Sequence, residues 1–394
     1  MRTIYFVAGE VSADNHGAAL MRSLRELDFE LKFIGRGGPQ MQQVAGNQFK
    51  NWIGDAAVLG LWEVLRKYGY FRKQFRKTLK EIQESKPDAV VLIDYPGFNL
   101  RLAHALQRQL PQQKVIYYVS PQVWAWNPGR IKRMARSVDL VLCIFPFEAD
   151  LYKKSGIPAV FVGHPMIERL QARKIDVERD SDLIGLFPGS RLREVRKIFP
   201  VMIETARLLL QARPTLHFQV AAASEQLAGE MNKALAKTPL PLGRVRGATS
   251  QNHHVIQIKV GETAEIMQRA WAGMVASGSA TLEAAYFRMP FVLIYKVAWP
   301  TYLAARAVVN VNYLGMPNLL AEKEVVAEFI QCEAKPDAIS RAMRRLMEDT
   351  SARKQMISEF DAITGKLGGS GASETAARAI LKQIGEKGGR LVTR

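Results

Sequence analysis

The sequence predicts two α/β domains, each built on a parallel sheet with helices on both faces. Short apolar runs typical of buried strands alternate with longer stretches of helical periodicity. This alternation favours a parallel sheet, because each strand needs a crossover before the next one. The alternation occurs twice, and 394 residues are more than one hydrophobic core usually fills. We therefore expect domains over residues 1–170 and 171–372, and a last helix over 373–386 that can return to the first domain.

The chain opens with a predicted strand, turn and helix. Residues 3–8 are apolar and strand-like, and residues 15–27 place their leucines on one helical face. The turn between them follows the carboxyl end of the strand, where doubly wound sheets bind ligands. Capping of the helix explains one of its polar residues but not all four. These four are Glu10, Ser12, Asp14 and His16.

A carboxylate follows a later strand of the first half. Asp94 leaves the predicted strand 89–93 and enters a Pro-Gly loop that ends at Asn99. An ionisable group at a strand end is well placed for acid–base chemistry. Capping of the next helix is the commoner role of such a residue. The other strands predicted in this half span residues 31–34, 115–119, 140–144 and 160–162.

The glycine cluster at residues 35–38 is not a dinucleotide-binding fingerprint. Its spacing differs from G-x-G-x-x-G, and no Walker A sequence occurs in the chain. The sequence therefore argues against an NAD-binding protein and against a P-loop NTPase.

Residues 56–82 interleave apolar and aromatic side chains with many cations. Examples of the cations are Arg66, Lys67, Arg72 and Lys73. A basic, aromatic-rich amphipathic segment fits attachment to an anionic bilayer surface. A core helix with a solvated basic face fits the same pattern equally well. Both interpretations stay open at the level of the sequence.

The second half contains two turns suited to phosphate. The predicted strand 183–187 is broken by Pro188 and Gly189, and helical periodicity begins at Leu192. A helix N-terminus with Ser190 and Arg191 presents backbone N–H groups and positive charge to an anion. Residues 277–283 form a second such turn, with Glu283 one turn inside its helix. The structural alternative is a capping serine at each turn, with Glu283 in a capping box.

The other elements of the second half are assigned by periodicity. Strands are predicted over residues 216–222, 255–259, 273–276 and 291–294. Helices are predicted over residues 300–311, 324–331, 336–348, 351–363 and 373–385.

Composition limits the environment and the partners. The net charge of +18 fits nucleic acid, an anionic membrane surface or phosphorylated substrates. Two cysteines are too few for a disulfide framework or a zinc site and indicate a reducing compartment. The start of the chain has no signal-peptide pattern, and no apolar run is long enough to span a membrane. We expect a cytoplasmic protein. The D-x-D sequence at 180–182 precedes its strand, so we expect no metal site there.

Eight stretches, taken together, match a known family in order and over nearly the whole chain. The sequence resembles the lipid-A-disaccharide synthases, glycosyltransferases of the GT-B fold. One departure is Ala13, where the family usually has glycine. The matching stretches are 8–14 (AGEVSAD), 94–99 (DYPGFN), 117–126 (YYVSPQVWAW), 145–148 (FPFE), 163–165 (GHP), 187–191 (FPGSR), 277–283 (SGSATLE) and 317–321 (PNLLA).

The resemblance implies a reaction and two lipid substrates. A diacylated glucosamine would pass from its UDP carrier to 2,3-diacylglucosamine 1-phosphate, giving a β-1,6-linked disaccharide 1-phosphate and UDP. Two Rossmann-like domains would face one another across a cleft. Because both substrates carry acyl chains, the enzyme would attach peripherally to the inner face of the cytoplasmic membrane, and a homodimer is compatible with the resemblance. No cofactor and no nucleic acid are expected.

The resemblance also guides the roles of the candidate residues. Asp94 is the expected general base, with His16 as its rival, and Arg191 is expected to bind the diphosphate. Glu283 would hold the ribose hydroxyls, and Asn318 would contact the nucleotide or its phosphates. The remaining predicted substrate-binding residues are Glu10, Ser12, Asp14, Asn99, Gly189, Ser190, Ser277, Gly278, Ser279 and Thr281.

Three other functions are compatible with parts of the pattern. A UDP-sugar 2-epimerase would share the fold and the nucleotide turns but has no need of the basic segment 56–82. Another GT-B transferase could act on a different lipid-linked sugar. A nucleic-acid-binding protein would use the positive charge but leaves the strand-end motifs unexplained.

Overall fold

The structure, a computed structural model, consists of two α/β units. It describes residues 1–53, 68–121, 129–238, 255–299, 302–303, 306, 312–348 and 350–385. One unit contains Met1–Glu168 together with Leu367–Arg394, and the other contains Arg169–Lys366. The prediction of two parallel-sheet α/β domains is confirmed.

The first unit has a seven-stranded sheet of order β3-β2-β1-β4-β5-β6-β7. All neighbouring strands pair in parallel. The short edge strand β3 escaped the sequence analysis because only its first residue is buried, so it has no apolar pattern. The strands are β1 (Thr3–Ala8), β2 (Lys32–Gly37), β3 (Phe49–Asn51), β4 (Ala89–Ile93), β5 (Val115–Tyr118), β6 (Leu140–Cys143) and β7 (Ala159–Phe161).

Helices cover the sheet of the first unit. They bury the five residues of β4 completely, as expected for a central strand with helices on both faces. The last helix of the described chain contacts the first one and buries Ala376, Ala377 and Ile380. The helices are α1 (Val11–Leu27), α2 (Pro39–Ala45), α3 (Tyr68–Ser85), α4 (Pro96–Gln109), α5 (Gly129–Met134), α6 (Pro146–Lys154) and, at the end, α15 (Ala372–Gly385). Helix α7 (Met166–Gln171) crosses the boundary between the units, and its residues from Arg169 onward belong to the second unit.

Helix α3 carries the described part of the basic segment 56–82, whose residues 56–67 lie outside the described ranges. Phe71, Phe75 and Leu79 pack against the core of the first unit, and Ile82 belongs to that core. The cations between them are exposed, and they are Arg72, Lys73, Arg76, Lys77 and Lys80. This helix therefore has one face in the core and one basic face toward solvent.

A buried arginine fixes the last turns of α3 to the sheet. The side chain of Arg36 on β2 is 4% exposed and donates to the Glu81 carboxylate at 2.7 Å. The Tyr5 hydroxyl on β1 donates to the same carboxylate at 2.7 Å. Because a buried charge needs a close partner, this pairing fixes how α3 lies on the sheet.

The second unit has a six-stranded parallel sheet of order β10-β9-β8-β11-β12-β13. The strands are β8 (Asp180–Phe187), β9 (His217–Ala222), β10 (Ile256–Val260), β11 (Ala270–Ala276), β12 (Phe291–Tyr295) and β13 (Glu328–Ile330). The helices are α8 (Leu192–Ala212), α9 (Glu225–Ala236), α10 (Thr263–Arg269), α11 (Ala280–Tyr286), α12 (Met316–Ala321), α13 (Pro336–Met347) and α14 (Ser351–Lys366).

The helix predicted over residues 324–331 is wrong. Residues 328–330 form strand β13, which pairs in parallel with β12 through Leu293 and Glu328. Its apolar residues are spaced in a way that also fits a helix, and the sequence alone does not show the neighbouring strand. Most of the helix predicted over residues 300–311 lies outside the described ranges. In the described part of the chain, no helix is both long and apolar enough to span a membrane.

Strand order reverses once in each sheet. In the first unit the reversal lies between β1 and β4, where Ala8 pairs with Ile93. In the second unit it lies between β8 and β11, where Phe187 pairs with Val275. Crossovers leave in opposite directions at such a point and open a crevice at the carboxyl ends of the strands. The residues that follow β1 therefore lie beside those that follow β4, and the residues that follow β8 lie beside those that follow β11.

Candidate active site

The first strand-end cluster lies where β1 and β4 end side by side. Asp94 and Tyr95 follow β4 with φ values of 46° and 50°, so two consecutive non-glycine residues have left-handed backbone. Such residues cost about 1–3 kcal/mol each and concentrate at functional sites. The Asp94 backbone amide donates to the Tyr118 backbone carbonyl at 3.0 Å. The Asp94 carbonyl accepts a hydrogen bond from the Tyr117 hydroxyl at 2.6 Å. Neighbouring strand β5 therefore holds the turn in place.

Asn99 supports the same turn from inside helix α4. Its side chain is completely buried, and its NH₂ group donates to the carbonyls of Asp94 at 2.8 Å and Ile93 at 3.1 Å. Its Oδ1 atom has no hydrogen-bond partner within the described residues. The structure therefore gives Asn99 a positioning role beneath the Asp94 turn.

The carboxyl group of Asp94 has an altered acidity. Burial, and then the charge of Glu10 after β1, raises its pKa to about 6. Both effects disfavour the ionised form. A carboxyl group with a pKa near neutrality can accept and release a proton at physiological pH, which is what a general base needs. Burial and Glu10 also raise the pKa of Tyr95 to about 12.

Gly9 is required at the end of β1. A Cβ atom at Gly9 would come within 2.4 Å of the Tyr95 ring. The Tyr95 ring therefore packs directly on the backbone of the neighbouring strand end, and this contact joins the two turns. Trp52 also contacts the end of β1, because its indole N–H donates to the Ala8 carbonyl at 2.6 Å.

The polar residues predicted in the first turn lie mostly inside helix α1, which begins at Val11, four residues earlier than predicted. Glu10 is the N-cap residue, and no side chain caps the helix. Glu10 and Ser12 are exposed, whereas His16 is half-buried. The structure therefore brings Glu10 close to Asp94, and it does not bear out capping of α1 by Ser12 or Asp14.

Asp14 has a structural partner that the sequence did not reveal. It is 2% exposed, and its carboxylate accepts hydrogen bonds from the backbone amides of Gly38, Gln40 and Met41 at 2.9–3.0 Å. A Cβ atom at Gly38 would come within 2.4 Å of this carboxylate. The glycine cluster thus allows a carboxylate to approach the N-terminus of α2, an arrangement that the helix dipole favours.

The second strand-end cluster begins with the turn after β8. Gly189 has a φ of 105°, and a Cβ atom there would come within 2.6 Å of the Glu194 carboxylate. Arg191 is the N-cap residue of α8, and no side chain caps this helix. Its side chain is 64% exposed, and its guanidinium pairs with the Glu194 carboxylate at 3.0 Å. A capping serine is thus not observed at Ser190. The Glu194 amide donates to the Arg191 carbonyl at 3.0 Å, and the positive end of the helix dipole faces the turn.

Two residues of this cluster were missed by the sequence analysis. Glu194 lies one turn inside α8, beside Gly189 and Arg191. Tyr295 ends β12; burial, then the charge of Glu194, raises its pKa, while Arg191 lowers it. The three side chains are therefore electrostatic neighbours. A strand-end position is the one signal by which the sequence could have indicated Tyr295.

The turn after β11 lies next to the turn after β8. Gly278 and Ser279 are exposed, Ser277 is half-buried, and Gly278 has a φ of 148°. Thr281 is completely buried, and its hydroxyl donates to the Gly278 carbonyl at 2.8 Å. Thr281 therefore stabilises the turn rather than facing solvent.

Glu283 pairs with a cation that the sequence analysis did not name. Its carboxylate accepts from Arg169 at 2.7 Å, and its side chain is 15% exposed. The capping box considered for Glu283 is not observed, because no side chain caps α11. Glu283 is thus held one turn inside the helix by an ion pair.

Asn318 is completely buried and fully hydrogen-bonded. Its NH₂ group donates to the Val326 backbone carbonyl at 2.7 Å and to the Glu328 carboxylate at 2.8 Å. Its Oδ1 atom accepts from the amides of Val325 and Val326 at 2.8 Å each. Three of these bonds join α12 to the segment before β13, and the fourth reaches the first residue of β13. A direct contact of Asn318 with a ligand therefore requires some of them to break.

The two clusters offer complementary chemistry. The first holds a carboxyl group that titrates near neutrality, and the second holds an exposed guanidinium beside an uncapped helix N-terminus. The first cluster by itself suits proton acceptance, and the second by itself suits binding of an anionic leaving group. Among the described residues, no group of three or more His, Cys, Asp or Glu side chains is arranged to hold a metal ion.

The family comparison covers nearly the whole chain. The model of the lipid-A-disaccharide synthetase family matches residues 4–379. The lipid-A-disaccharide synthase of Geobacter sulfurreducens is 35% identical over 392 residues, which are 98% of this chain and 98% of that protein.

Solved structures share the architecture at low sequence identity. The UDP-GlcNAc 2-epimerase of Neisseria meningitidis, solved with UDP-GlcNAc, has a TM-score of 0.59 and 13% identity, covering 96% of this chain and 99% of its own. The calicheamicin glycosyltransferase CalG4 has a TM-score of 0.57 and 13% identity, covering 98% of this chain and 100% of its own. The fold is therefore the GT-B fold of glycosyltransferases and related epimerases.

The raised pKa of Asp94 predicts a pH-dependent cost in stability. Above pH 6, the ionised Asp94 carboxylate lowers the free energy of unfolding. This effect disappears below pH 3.8, which is the ordinary pKa of the group, because the carboxyl group is then protonated in both the folded and the unfolded chain. We expect Asp94→Asn to raise the free energy of unfolding by up to about 3 kcal/mol at pH 8 and to leave it unchanged below about pH 4.

Chemical denaturation across this pH range measures the effect. Asp150→Asn, at an exposed position on α6, is the matched control and should not change the pH dependence. A loss of stability in Asp94→Asn at pH 8 would contradict the assignment.

Proposed function

The chain belongs to the lipid-A-disaccharide synthetase family, and we propose that it transfers 2,3-diacylglucosamine from UDP to 2,3-diacylglucosamine 1-phosphate. The products are the β-1,6-linked disaccharide 1-phosphate and UDP. The observation that carries this proposal is the Asp94 carboxyl group, buried at a strand reversal with a pKa near neutrality, in a chain that matches the family model over residues 4–379.

The reaction is a single inverting displacement. The 6-hydroxyl oxygen of the acceptor attacks the anomeric carbon of the donor, and the bond from that carbon to the UDP oxygen breaks. Asp94 takes the hydroxyl proton, for which its raised pKa is suited. The negative charge then moves to the leaving diphosphate. Asn99 and Tyr117 support the reaction by holding the Asp94 turn.

The leaving diphosphate binds at the N-terminus of α8. Arg191 supplies a charge-assisted hydrogen bond, and Ser190 with the first-turn amides supplies neutral donors. Glu194, which now pairs with Arg191, competes with the diphosphate for the guanidinium. The arginine and the helix dipole perform the charge neutralisation that a metal ion performs in other transferases.

The nucleotide sugar occupies the neighbouring turn. Ser277, Gly278 and Ser279 offer hydroxyl and backbone donors, and Glu283 accepts hydrogen bonds from the ribose hydroxyls. Thr281 and Asn318 act indirectly, because both are buried and hydrogen-bonded to backbone. On the acceptor side we place Glu10, Ser12 and His16, with Asp14 holding the adjacent α2.

The exposed face of α3 attaches the enzyme to the membrane. Its five cations lie on the side opposite the core-packed aromatic residues. Lysine and arginine near an anionic bilayer contribute about 1 kcal/mol each. This attachment places the acylated substrates and the site at the inner face of the cytoplasmic membrane. A homodimer stays a prediction.

Incubation of the purified protein with both lipid substrates tests the proposed function. We expect disaccharide 1-phosphate and UDP in equal amounts, with full activity in excess chelator. UDP released without acceptor would favour a UDP-sugar 2-epimerase, and a product from a different acceptor would favour another GT-B transferase. Absence of product with every acyl-chain length would overturn the proposal.

The role of Arg191 is tested by Arg191→Ala. We expect kcat/KM to fall about 10²-fold or more, because the guanidinium stabilises the charge of the leaving group. Thermal unfolding and vesicle binding should stay unchanged, since Arg191 is exposed. The matched control is Arg207→Ala, which breaks a similar i,i+3 ion pair on the same helix. Unfolding of Arg191→Ala, or equal effects of the two variants, would return the turn to a structural role.

The role of Asp94 is tested by the pH profile of turnover. We expect kcat/KM of the wild-type enzyme to fall about tenfold per pH unit below pH 6, because the protonated carboxyl group cannot accept a proton. In Asp94→Asn the rate should fall about 10²- to 10⁴-fold and lose this dependence. Near-normal turnover in Asp94→Asn with the dependence retained would assign the base to His16.

A further inference from the structure

A cavity of about 400 Å³ opens in the first unit between helices α4 and α5. Cavities of roughly 300–1,000 Å³ are typical of small-ligand sites. The residues after β4 form one wall, and residues 130–137 form the other. All of its described lining residues therefore belong to the first unit.

Four basic side chains line this cavity. Arg101 and His104 project from α4, and Arg130 and Arg133 come from α5. The two residues of each pair are three positions apart, so they lie on the same helical face. Among the described residues that line the cavity there is no carboxylate.

The arginines are close enough to repel one another. Burial, then the charges of Arg133 and Arg101, lowers the pKa of Arg130. Within the described residues, no hydrogen bond or ion pair involves the guanidinium groups of Arg101 and Arg133. Elsewhere in the chain, exposed arginines such as Arg196 pair with a carboxylate. An anion in the cavity would relieve this repulsion and satisfy planar donors suited to phosphate.

The rest of the lining is partly apolar. Pro96, Leu100 and Met134 lie between the cations. A wall of this kind suits an anionic group on an amphipathic body better than a free ion, which would gain nothing from the apolar contacts.

The described lining of the cavity starts two residues after Asp94 in the chain. Its wall begins at Pro96 and Gly97, the first residues of α4, directly after Asp94 and Tyr95. Gly97 and Arg101 are separated by one helical turn, or about 6 Å along the axis. The Asp94 carboxyl group thus lies just before the start of α4, and Arg101 and His104 follow on the face of α4 that lines the cavity.

We propose that this cavity binds the 1-phosphate group of the acceptor, a phosphomonoester on an acylated sugar. The inference rests on the proposed function and names the subsite that orients the acceptor. With the phosphate held by Arg101 and Arg133, the sugar ring extends along α4 and presents its 6-hydroxyl group to Asp94. The cavity then selects a monophosphorylated acceptor, while the donor diphosphate binds in the second unit.

The double variant Arg101→Gln/Arg133→Gln tests this subsite. We expect the KM for the acceptor to rise about tenfold or more, since two charge-assisted hydrogen bonds are lost, while the KM for the donor stays unchanged. Removal of the 1-phosphate from the acceptor should impair the wild-type enzyme by a similar factor and the double variant much less. Arg108→Gln, on the same helix but outside the cavity, is the matched control.

Other results would overturn the inference. An unchanged acceptor KM in a double variant that folds normally would leave the reaction intact and reject the subsite. A rise confined to the donor KM would assign the cavity to the diphosphate. Loss of binding to phosphatidylglycerol vesicles with an unchanged acceptor KM would assign the arginines to the bilayer.

A direct binding measurement separates this inference from the proposed function. If the wild-type protein forms no disaccharide, glucosamine 1-phosphate is titrated calorimetrically into the wild-type protein and the double variant. Binding about tenfold tighter to the wild-type protein would retain a phosphomonoester site. Equal affinities, or no binding to either protein, would reject it.

Discussion

The reversal of strand order is the constraint on which the candidate site depends. Parallel pairing forces β1 and β4, and likewise β8 and β11, to end at the same edge of their sheets. The crossovers then diverge, so the residues after these strands are left without covering helices. This geometry brings Glu10 to Asp94, and it brings the turn of Arg191 to that of Ser277. Polar side chains at these positions are therefore the candidates for function, whereas the same side chains elsewhere in the sheet would be covered.

Buried hydrogen bonds compensate for the strain and charge concentrated at these edges. The left-handed backbone at Asp94 and Tyr95 persists because Asn99, Tyr117 and Tyr118 all bind the same turn. Buried hydrogen bonds of Asp14 likewise hold the N-terminus of α2, and those of Asn318 hold the segment before β13. A buried hydrogen-bond network that keeps unpaired polar groups destabilises the fold more than apolar side chains would. Substitutions at these positions are therefore expected to lower stability. Rigid positioning of the candidate base is the consequence.

The positive charge of the chain is divided among three different surfaces. Cations on α3 face solvent from a helix whose other face is in the core. Arg101 and Arg133 line a cavity with apolar neighbours. Arg191 stands at a helix N-terminus beside Glu194. Net charge alone is equally compatible with nucleic acid, whereas the separate positions of these cations are the basis for proposing a bilayer, a phosphomonoester and a diphosphate as their respective ligands.

The sequence by itself determined the two parallel-sheet domains, because strand-like and helical periodicities are local properties. It also marked Asp94, Arg191 and the turn at Ser277, since apolar runs that end in polar turns are visible along the chain. Only the tertiary structure decided which residues meet. Hydrogen bonds join Asp14 to the amides after β2 and Asn318 to the segment before β13, and Tyr295 interacts electrostatically with Glu194; all three are interactions between distant positions. The helix predicted over residues 324–331 was wrong for the same reason: pairing with β12, a nonlocal interaction, selects the strand.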